Sequence, residues 1–243
     1  MDIHKPKPVH GWRELVKEIG IIVIGVVIAL GAEQAVEALH WKYQVDAGEA
    51  ALKVAFLREV DNIALRDVQS DCIAQRLSFL SQTVERASES GRLPAIQAIG
   101  HPPFTPWTIG AWDALVANDT VSHLPRKKML DYVQIAQRTA VLSGMSDREN
   151  DQWTILDSVV GPGRRLSDVE AEQLRVTLAQ AAESNRLMRR TSSRLRELVT
   201  GTGLVEPSES ADAMKRAVLG KPDAPICRPV AASPSMAGGR AHE

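Results

Sequence analysis

The sequence predicts an all-α protein in which an N-terminal transmembrane helix continues into a long helix and packs into a bundle of about five helices. Three observations lead to this fold class. The stretch from Ile19 to Ala32 holds fourteen residues without a charged or polar side chain. Elsewhere, apolar residues recur three and four positions apart, as they do on one face of a helix. Only 4% of the residues are aromatic, which leaves few of the side chains that favour strands.

The apolar stretch is short for a membrane span, so its flanks carry the argument. Fourteen residues rise about 21 Å as a helix, against roughly 30 Å of hydrocarbon. Lys17 can extend its ammonium group to the headgroups, and Trp12 and Trp41 lie about 43 Å apart along a helix, close to the thickness of a whole bilayer. We therefore expect a transmembrane anchor over residues 12–41, with Trp12, Lys17 and Trp41 at the membrane interfaces. A cleaved signal peptide and a buried hairpin of a soluble protein are the alternatives.

The charges beside the anchor predict its orientation, because basic flanks stay in the cytoplasm. The basic residues before it are Lys5, Lys7, Arg13 and Lys17, whereas the acidic residues Glu33, Glu37, Asp46 and Glu49 outnumber Lys42 after it. We expect residues 1–11 to form a cytoplasmic tail and residues 42–220 to form a helical bundle domain outside the cytoplasm.

Two segments resemble a family of uncharacterised bacterial single-pass membrane proteins. They are EIGIIVIGVVIAL at residues 18–30 and WTIGAWDALV at residues 107–116. In that family a short N-terminal tail leads into an E-x-x-I-I-V-I-G-V-x-I-A-L type anchor, which a small α-helical extracytoplasmic domain follows. The resemblance implies a bacterial inner-membrane protein with a periplasmic C-terminal domain, and it implies no activity.

The first helix is predicted to run from Gly11 through the anchor to about Ser88. Two apolar stripes on its later part do not align, so we expect a bend or break near residues 69–72, and a second is possible at Gly48. Glycines and prolines then punctuate residues 91–106, which are predicted to form a loop.

Shorter helices follow the loop. The first covers residues 107–117, and its core candidates are Trp112, Leu115 and Val116. The next begins after Pro125, a favourable residue for a first helical turn, and ends near Ser143.

Two segments match the capping box that starts helices, SDRE at residues 146–149 and SDVE at residues 167–170. The first predicts a helix to about Val159, and the second a long helix that ends near Gly201. The long helix carries apolar and small polar residues at regular spacing of four and three: Leu174, Leu178, Ala181, Asn185, Met188, Ser192, Leu195 and Val199. This spacing is typical of a bundle or coiled-coil seam.

The C-terminal region is predicted to hold a last short helix over residues 210–219 and a disordered tail over residues 221–243, unless a cysteine tethers the tail. Cys72 and Cys227 would form a disulfide if the domain lies in an oxidising compartment. The alternative is two unrelated thiols, with Cys72 a small core residue.

Small residues and carboxylates share one face of the anchor helix, within an arc of about 100°. We call this the anchor face; its members are Glu18, Gly25, Ala29, Ala32 and Glu33. The pattern Gly25-x-x-x-Ala29 allows a second helix to approach closely, and glutamates at membrane edges favour protein over lipid. These residues predict helix–helix association, against the alternative of a solitary anchor with incidental glycines.

Two basic clusters allow two interpretations. One holds Arg186, Arg189, Arg190 and Arg194, and the other is the run Arg126-Lys127-Lys128. Either could meet an anionic partner, but a solvated helix face paired with acids such as Glu183 and Glu197 is the simpler expectation.

Little in the sequence indicates catalysis. The six histidines lack the spacing of a helical metal pair, although His123 could act with Asp119 or Asp113, and no nucleophile elbow, phosphate loop or dinucleotide motif appears. We name no catalytic, cofactor or metal residue, and a net charge of −1 gives no reason to expect nucleic acid. The expected function is a membrane-anchored interaction or scaffold module of the bacterial envelope that binds itself or another envelope protein. The alternative is a periplasmic sensory or ligand-binding bundle that signals through a partner membrane protein, because the predicted cytoplasmic tail is short.

Overall fold

Five α-helices and a two-stranded ribbon make up the regular structure of residues 11–221 and 224–230, which are the residues that the computed structural model describes. In chain order the elements are α1 (Trp12–Ser90), β1 (Arg92–Leu93), α2 (Gly110–Ala117), α3 (Arg126–Leu156), β2 (Arg164–Arg165), α4 (Asp168–Gly201) and α5 (Pro207–Gly220). Three single 3-10 turns cover Thr120–His123, Asp157–Val159 and Pro225–Cys227. The predicted all-α class, with a long first helix that enters a bundle, is confirmed.

Helix α1 is unbroken over 79 residues, or about 120 Å. The predicted break near residues 69–72 is wrong, and so is the possible one at Gly48. A Cβ at Gly48 would lie 2.3 Å from Cδ2 of Leu115, so this glycine gives α2 room to approach α1. The helix ends where Gly91 adopts a left-handed conformation and donates its N–H to the Ala87 carbonyl oxygen.

Helices α4 and α5 pack along the C-terminal half of α1, and α3 packs against α4 and reaches α1 through its side chains. Helices α3 and α5 run in the same direction as α1, and α4 runs in the opposite direction. The ion pairs that show these directions are Lys128–Glu49 and Arg66–Glu149 for α3, Arg196–Asp67 and Arg175–Glu85 for α4, and Lys53–Glu209 and Arg216–Asp61 for α5. The first buried residue of α1 is Leu52, and contacts with the bundle extend back to Trp41, so the part of α1 before Trp41 projects from the bundle.

The bundle interior holds two apolar clusters. The proximal core lies nearer the N-terminal end of α1 and includes Leu52, Phe56, Trp107, Ile135 and Leu195. The distal core lies nearer the C-terminal end of α1 and includes Ile73, Leu80, Trp153, Leu174 and Ile226.

A buried polar layer lies between the two cores and joins α1, α3 and α4. The Arg66 guanidinium donates to both carboxylate oxygens of Glu149, at 2.6 and 2.8 Å, and to Oδ1 of Asn185 at 2.8 Å. Asn185 in turn donates to the Ser70 carbonyl oxygen at 3.0 Å. A shift of any of these helices would leave a buried charge unpaired, so we interpret the layer as a device that sets helix alignment.

Helix α3 replaces two predicted helices, because the first capping box is wrong. Ser146 and Glu149 lie inside α3 and are buried, and the Glu149 carboxylate is held by Arg66. Only half of the second predicted capping box forms: the Ser167 hydroxyl accepts from the Glu170 backbone N–H at 3.3 Å and starts α4, whereas the Glu170 carboxylate pairs with Arg164. The eight seam residues predicted for α4 are all buried.

Smaller differences concern the elements around α2 and the chain end. Helix α2 starts at Gly110 rather than residue 107, and of its core candidates Leu115 is buried, Trp112 is half-buried and Val116 is exposed. The unpredicted ribbon of β1 and β2 ties the loop after α1 to the connection between α3 and α4. Helix α5 extends the predicted 210–219 helix at its N-terminal end.

Parts of two predicted segments lie outside the described residues. They are residues 1–10 of the predicted tail and residues 222–223 and 231–243 of the predicted disordered region. Residues 224–230 pack against the distal core, as expected if Cys227 tethers the chain.

Candidate interaction surface

The apolar N-terminal part of α1 is long enough to cross a membrane, and it is the one helix of the described residues with that property. None of its most apolar 18-residue window is buried. A helix buried in a soluble core would be covered by other elements, so the structure does not support the buried-hairpin alternative.

The anchor face is free of contacts within the described part of the chain. Glu18, Gly25, Ala29, Ala32 and Glu33 are all exposed. A Cβ added to Gly25 would meet no described atom within 4 Å. The face is therefore accessible to a second helix along its whole length.

The predicted interface residues Trp12 and Lys17 are exposed, but Trp41 is half-buried. The Trp41 ring stacks on the His123 ring, with 3.7 Å between centroids and 13° between planes. His123 belongs to the 3-10 turn before α3, and the sequence had suggested Asp119 or Asp113 as its neighbours. The stack instead joins the end of the predicted anchor to the base of the bundle.

A disulfide between Cys72 and Cys227 holds the chain end against α1, with 4.9 Å between the two Cα atoms. Arg76 adds hydrogen bonds from its guanidinium to the carbonyl oxygens of Ile226, at 3.3 Å, and Arg228. Gly100 has a φ of 66°, and a Cβ there would lie 2.6 Å from the Pro225 carbonyl oxygen. We call residues 224–230 the C-terminal strap.

The arginine cluster of α4 is a paired, solvated face, as the simpler interpretation predicted. Arg186 pairs with Glu183 and Arg194 with Glu197, both at 2.5 Å. Arg189 reaches across to Asp71 of α1 at 3.2 Å. In the other basic run, Lys128 pairs with Glu49 at 2.7 Å. Two of these pairs lie within α4 and two join different helices. Because three of the four arginines of the α4 cluster already have acidic partners, the case for an anionic partner there is weaker.

Glu59 is a buried polar residue that the sequence reasoning missed. Its side chain is 0% exposed, and neither carboxylate oxygen has a hydrogen-bond partner among the described residues. Burial raises the pKa of Glu59 from 4.5 to about 7. The Thr108 backbone and the Asn62 side chain lie near the carboxylate but outside hydrogen-bond geometry, so they oppose this shift only in part. Spacing could have found it, because Glu59 lies three residues after the buried Phe56 and four before the buried Ile63.

A groove of about 690 Å³ lies at the distal end of the bundle, beside the ribbon. Its lining combines apolar side chains with two arginines and includes Phe79, Thr83, Arg86, Arg92 and Leu93. An amphipathic anion is the kind of molecule that such a lining suits.

Acidic and histidine side chains form no cluster that suggests metal chemistry in residues 11–221 and 224–230. No three His, Cys, Asp or Glu side chains there lie close enough to hold an ion. His101 and Asp157 form an exposed pair at 2.6 Å, without a neighbouring nucleophile in the described contacts.

Comparison with protein-family models, curated proteins and solved structures finds no match to this chain. The resemblance to a family of single-pass proteins therefore stays a prediction, and the functional argument depends on the surfaces described above.

Proposed function

We propose that this protein is a membrane-anchored helical interaction module of the bacterial envelope. The observation that carries the proposal is the uncovered anchor face, on a helix that continues without interruption into the bundle. Small residues on such a face favour close helix packing, and partners are either a second copy or another envelope protein.

The proposed topology places the bundle in the periplasm and the N-terminus in the cytoplasm of a bacterial inner-membrane protein. Two features support it. The flank before the anchor is basic and the flank after it is acidic. The Cys72–Cys227 disulfide suits an oxidising compartment.

Photo-cross-linking in membranes tests the anchor face. A photoreactive residue at Ala29 should yield covalent adducts with another protein or a second copy. The same residue at Gly31, which lies about 160° around the helix and is equally exposed, is the matched control. Equal yields from both positions would contradict a specific association through this face.

Protease treatment of spheroplasts tests the topology. A C-terminal epitope should be lost from intact spheroplasts while the N-terminal part stays in the membrane pellet. An epitope that is protected until lysis would place the bundle in the cytoplasm, and an N-terminus absent from the pellet would favour a cleaved signal peptide.

The distal groove favours a second candidate, a sensory or ligand-binding bundle that acts through a partner membrane protein. Its two arginines, Arg86 and Arg92, would bind the anionic end of a ligand. A thermal-shift screen of small amphipathic anions should then raise the melting temperature of the wild type but not of Arg92→Ala. No shift with any such anion would remove this candidate.

A further inference from the structure

We propose that a second copy of this chain packs in parallel along α1, from Gly25 in the anchor to Val54 beyond it. This inference rests on the proposed function, because it names the partner of the anchor face and extends that face into water. The residues involved, here the α1 seam, are Gly25, Ala29, Ala32, Val36, Leu39, Tyr43, Ala47, Ala50 and Val54.

The α1 seam follows the repeat of a helix-packing stripe. Successive members are three or four residues apart, and at 100° per residue all nine lie within an arc of about 80°. The three small residues at its start suit close approach inside a bilayer. The larger side chains follow: Val36 and Leu39 lie before the predicted membrane boundary at Trp41, and Tyr43 and Val54 lie after it, where burial of apolar surface drives association.

The seam is exposed throughout. Val36, Leu39, Tyr43 and Val54 are 69%, 68%, 71% and 63% exposed, and Ala47 and Ala50 are exposed as well. From Tyr43 to Val54 the seam lies beyond the predicted membrane, and contiguous apolar surface on a protein in water marks an interaction site.

The bundle leaves the seam free to be covered. Val45, Leu52 and Phe56 make apolar bundle contacts in this part of α1, and they lie about 160–180° around the helix from Tyr43 or Val54. Helix α5 lies to one side of the seam, where Lys53, about 80° from Tyr43, pairs with Glu209. A partner helix can therefore lie against the seam while each bundle points outwards.

A second copy suits the seam for two reasons. The occupant must be a helix that crosses the membrane in the same direction and continues for thirteen residues beyond it, from Trp41 to Val54, with small residues first and large apolar residues later. An identical chain packed in parallel has its small residues at the same depth in the membrane and its large apolar residues at the same positions along the helix. From Gly25 to Val54 no member of the seam is charged, so identical copies place no like charges opposite one another over that length; Glu18, in the same arc, lies at the opposite edge of the predicted anchor.

The buried area is also sufficient. The four large side chains, Val36, Leu39, Tyr43 and Val54, offer roughly 100 Å² each at their exposure, or about 800 Å² over two copies. The membrane part, from Gly25 to Ala32, brings the total past the roughly 1,000 Å² that a specific interface needs.

Cysteine cross-linking of the full-length protein in native membranes tests the seam. Ala47→Cys and Ala50→Cys should form covalent dimers with a short bifunctional maleimide, which leaves the native disulfide intact. Glu37→Cys and Lys42→Cys are the controls, because both residues are exposed but lie at least 100° from Val36 around the helix. Dimer yields at least five-fold higher at the two seam positions are expected. Equal yields at all four positions would overturn the parallel dimer.

A photoreactive phenylalanine analogue at Tyr43 separates this inference from the proposed function. An adduct of two copies, identified with two different epitope tags, supports the second copy. An adduct with a different protein overturns the second copy and leaves the interaction module standing. No adduct at Tyr43, together with equal yields from Ala29 and Gly31, overturns both.

Discussion

Replacing Glu59 with glutamine should make the bundle more stable above neutral pH. The carboxyl group is fully buried in the proximal region of α1, and no described group pairs with its oxygens. Glutamine has nearly the same shape and stays neutral at every pH. The substitution therefore removes only the cost of holding a charge in the interior.

The size and sign of the effect follow from the pKa. Burial raises the pKa of Glu59 in the folded chain to about 7, from the ordinary value of 4.5 that applies after unfolding. Between these two values the folded state holds a proton that the unfolded state has released, so the free energy of unfolding falls as the pH rises. The difference of about 2.5 pKa units corresponds to about 3 kcal/mol, lost between pH 4.5 and pH 8.

Urea unfolding of the full-length protein in detergent, followed by the fluorescence of the buried tryptophans, measures this effect. The stability of Glu59→Gln minus that of the wild type should be near zero at pH 4.5 and about 3 kcal/mol at pH 8. Glu89→Gln, an exposed position on the same helix, should show no such trend. A difference that does not change with pH would show that Glu59 titrates normally, and the argument from burial would then be wrong.

Three further predictions use the same unfolding assay. Gly48→Ala should destabilise the bundle by about 1–3 kcal/mol because its Cβ would overlap the Leu115 side chain of α2. Gly144→Ala, in open space on α3, should stabilise it by about 0.5–1 kcal/mol. A neutral Gly48→Ala would show that Leu115 or α2 can move away. Arg66→Met should cost about 3–5 kcal/mol because it leaves Glu149 buried and unpaired, and Arg66→Met with Glu149→Leu should recover most of that loss; a double variant as unstable as the single one would contradict this account. Cys227→Ser should lower stability by about 2–5 kcal/mol and increase binding of a hydrophobic dye at the distal core. Unchanged stability and dye binding would show that the strap stays in place without its disulfide.

The length of α1 was predictable from the sequence, but its continuity was not, because some of its buried positions are polar and do not belong to an apolar stripe. The buried side of the helix follows one unbroken spacing of four and three: Leu52, Phe56, Glu59, Ile63, Arg66, Ser70, Ile73, Leu77, Leu80, Val84 and Ala87. Three of these are polar, so an apolar filter divides the pattern into two stripes and suggests a break. The Ser70 hydroxyl is satisfied within α1, where it donates to the Arg66 carbonyl oxygen. The partners that make the Arg66 charge acceptable inside come from α3 and α4, which local sequence does not reveal.

The two predicted capping boxes also show that local sequence does not reveal tertiary partners. SDRE at residues 146–149 and SDVE at residues 167–170 carry the same local signal. Tertiary pairing decided between them, because Glu149 meets Arg66 in the interior while Ser167 lies at a chain reversal. The two-residue strands of the ribbon are too short to leave any periodic signal.

The candidate surface was predictable only inside the anchor. Hydropathy and small-residue spacing identified Gly25, Ala29 and Ala32 directly from the sequence. Beyond Trp41 both sides of α1 carry apolar residues, and only the position of the bundle shows that Leu52 is covered and Val54 is not.

The unbroken form of α1 has a mechanical consequence if the helix crosses a membrane as proposed. From Trp41 to Ser90 it rises about 74 Å without a proline, and the bundle is built on that length. A 10° tilt of the anchor would then move the distal end sideways by roughly 13 Å. The local thickness of the bilayer, which sets helix tilt, would thus determine where the far end of the bundle lies.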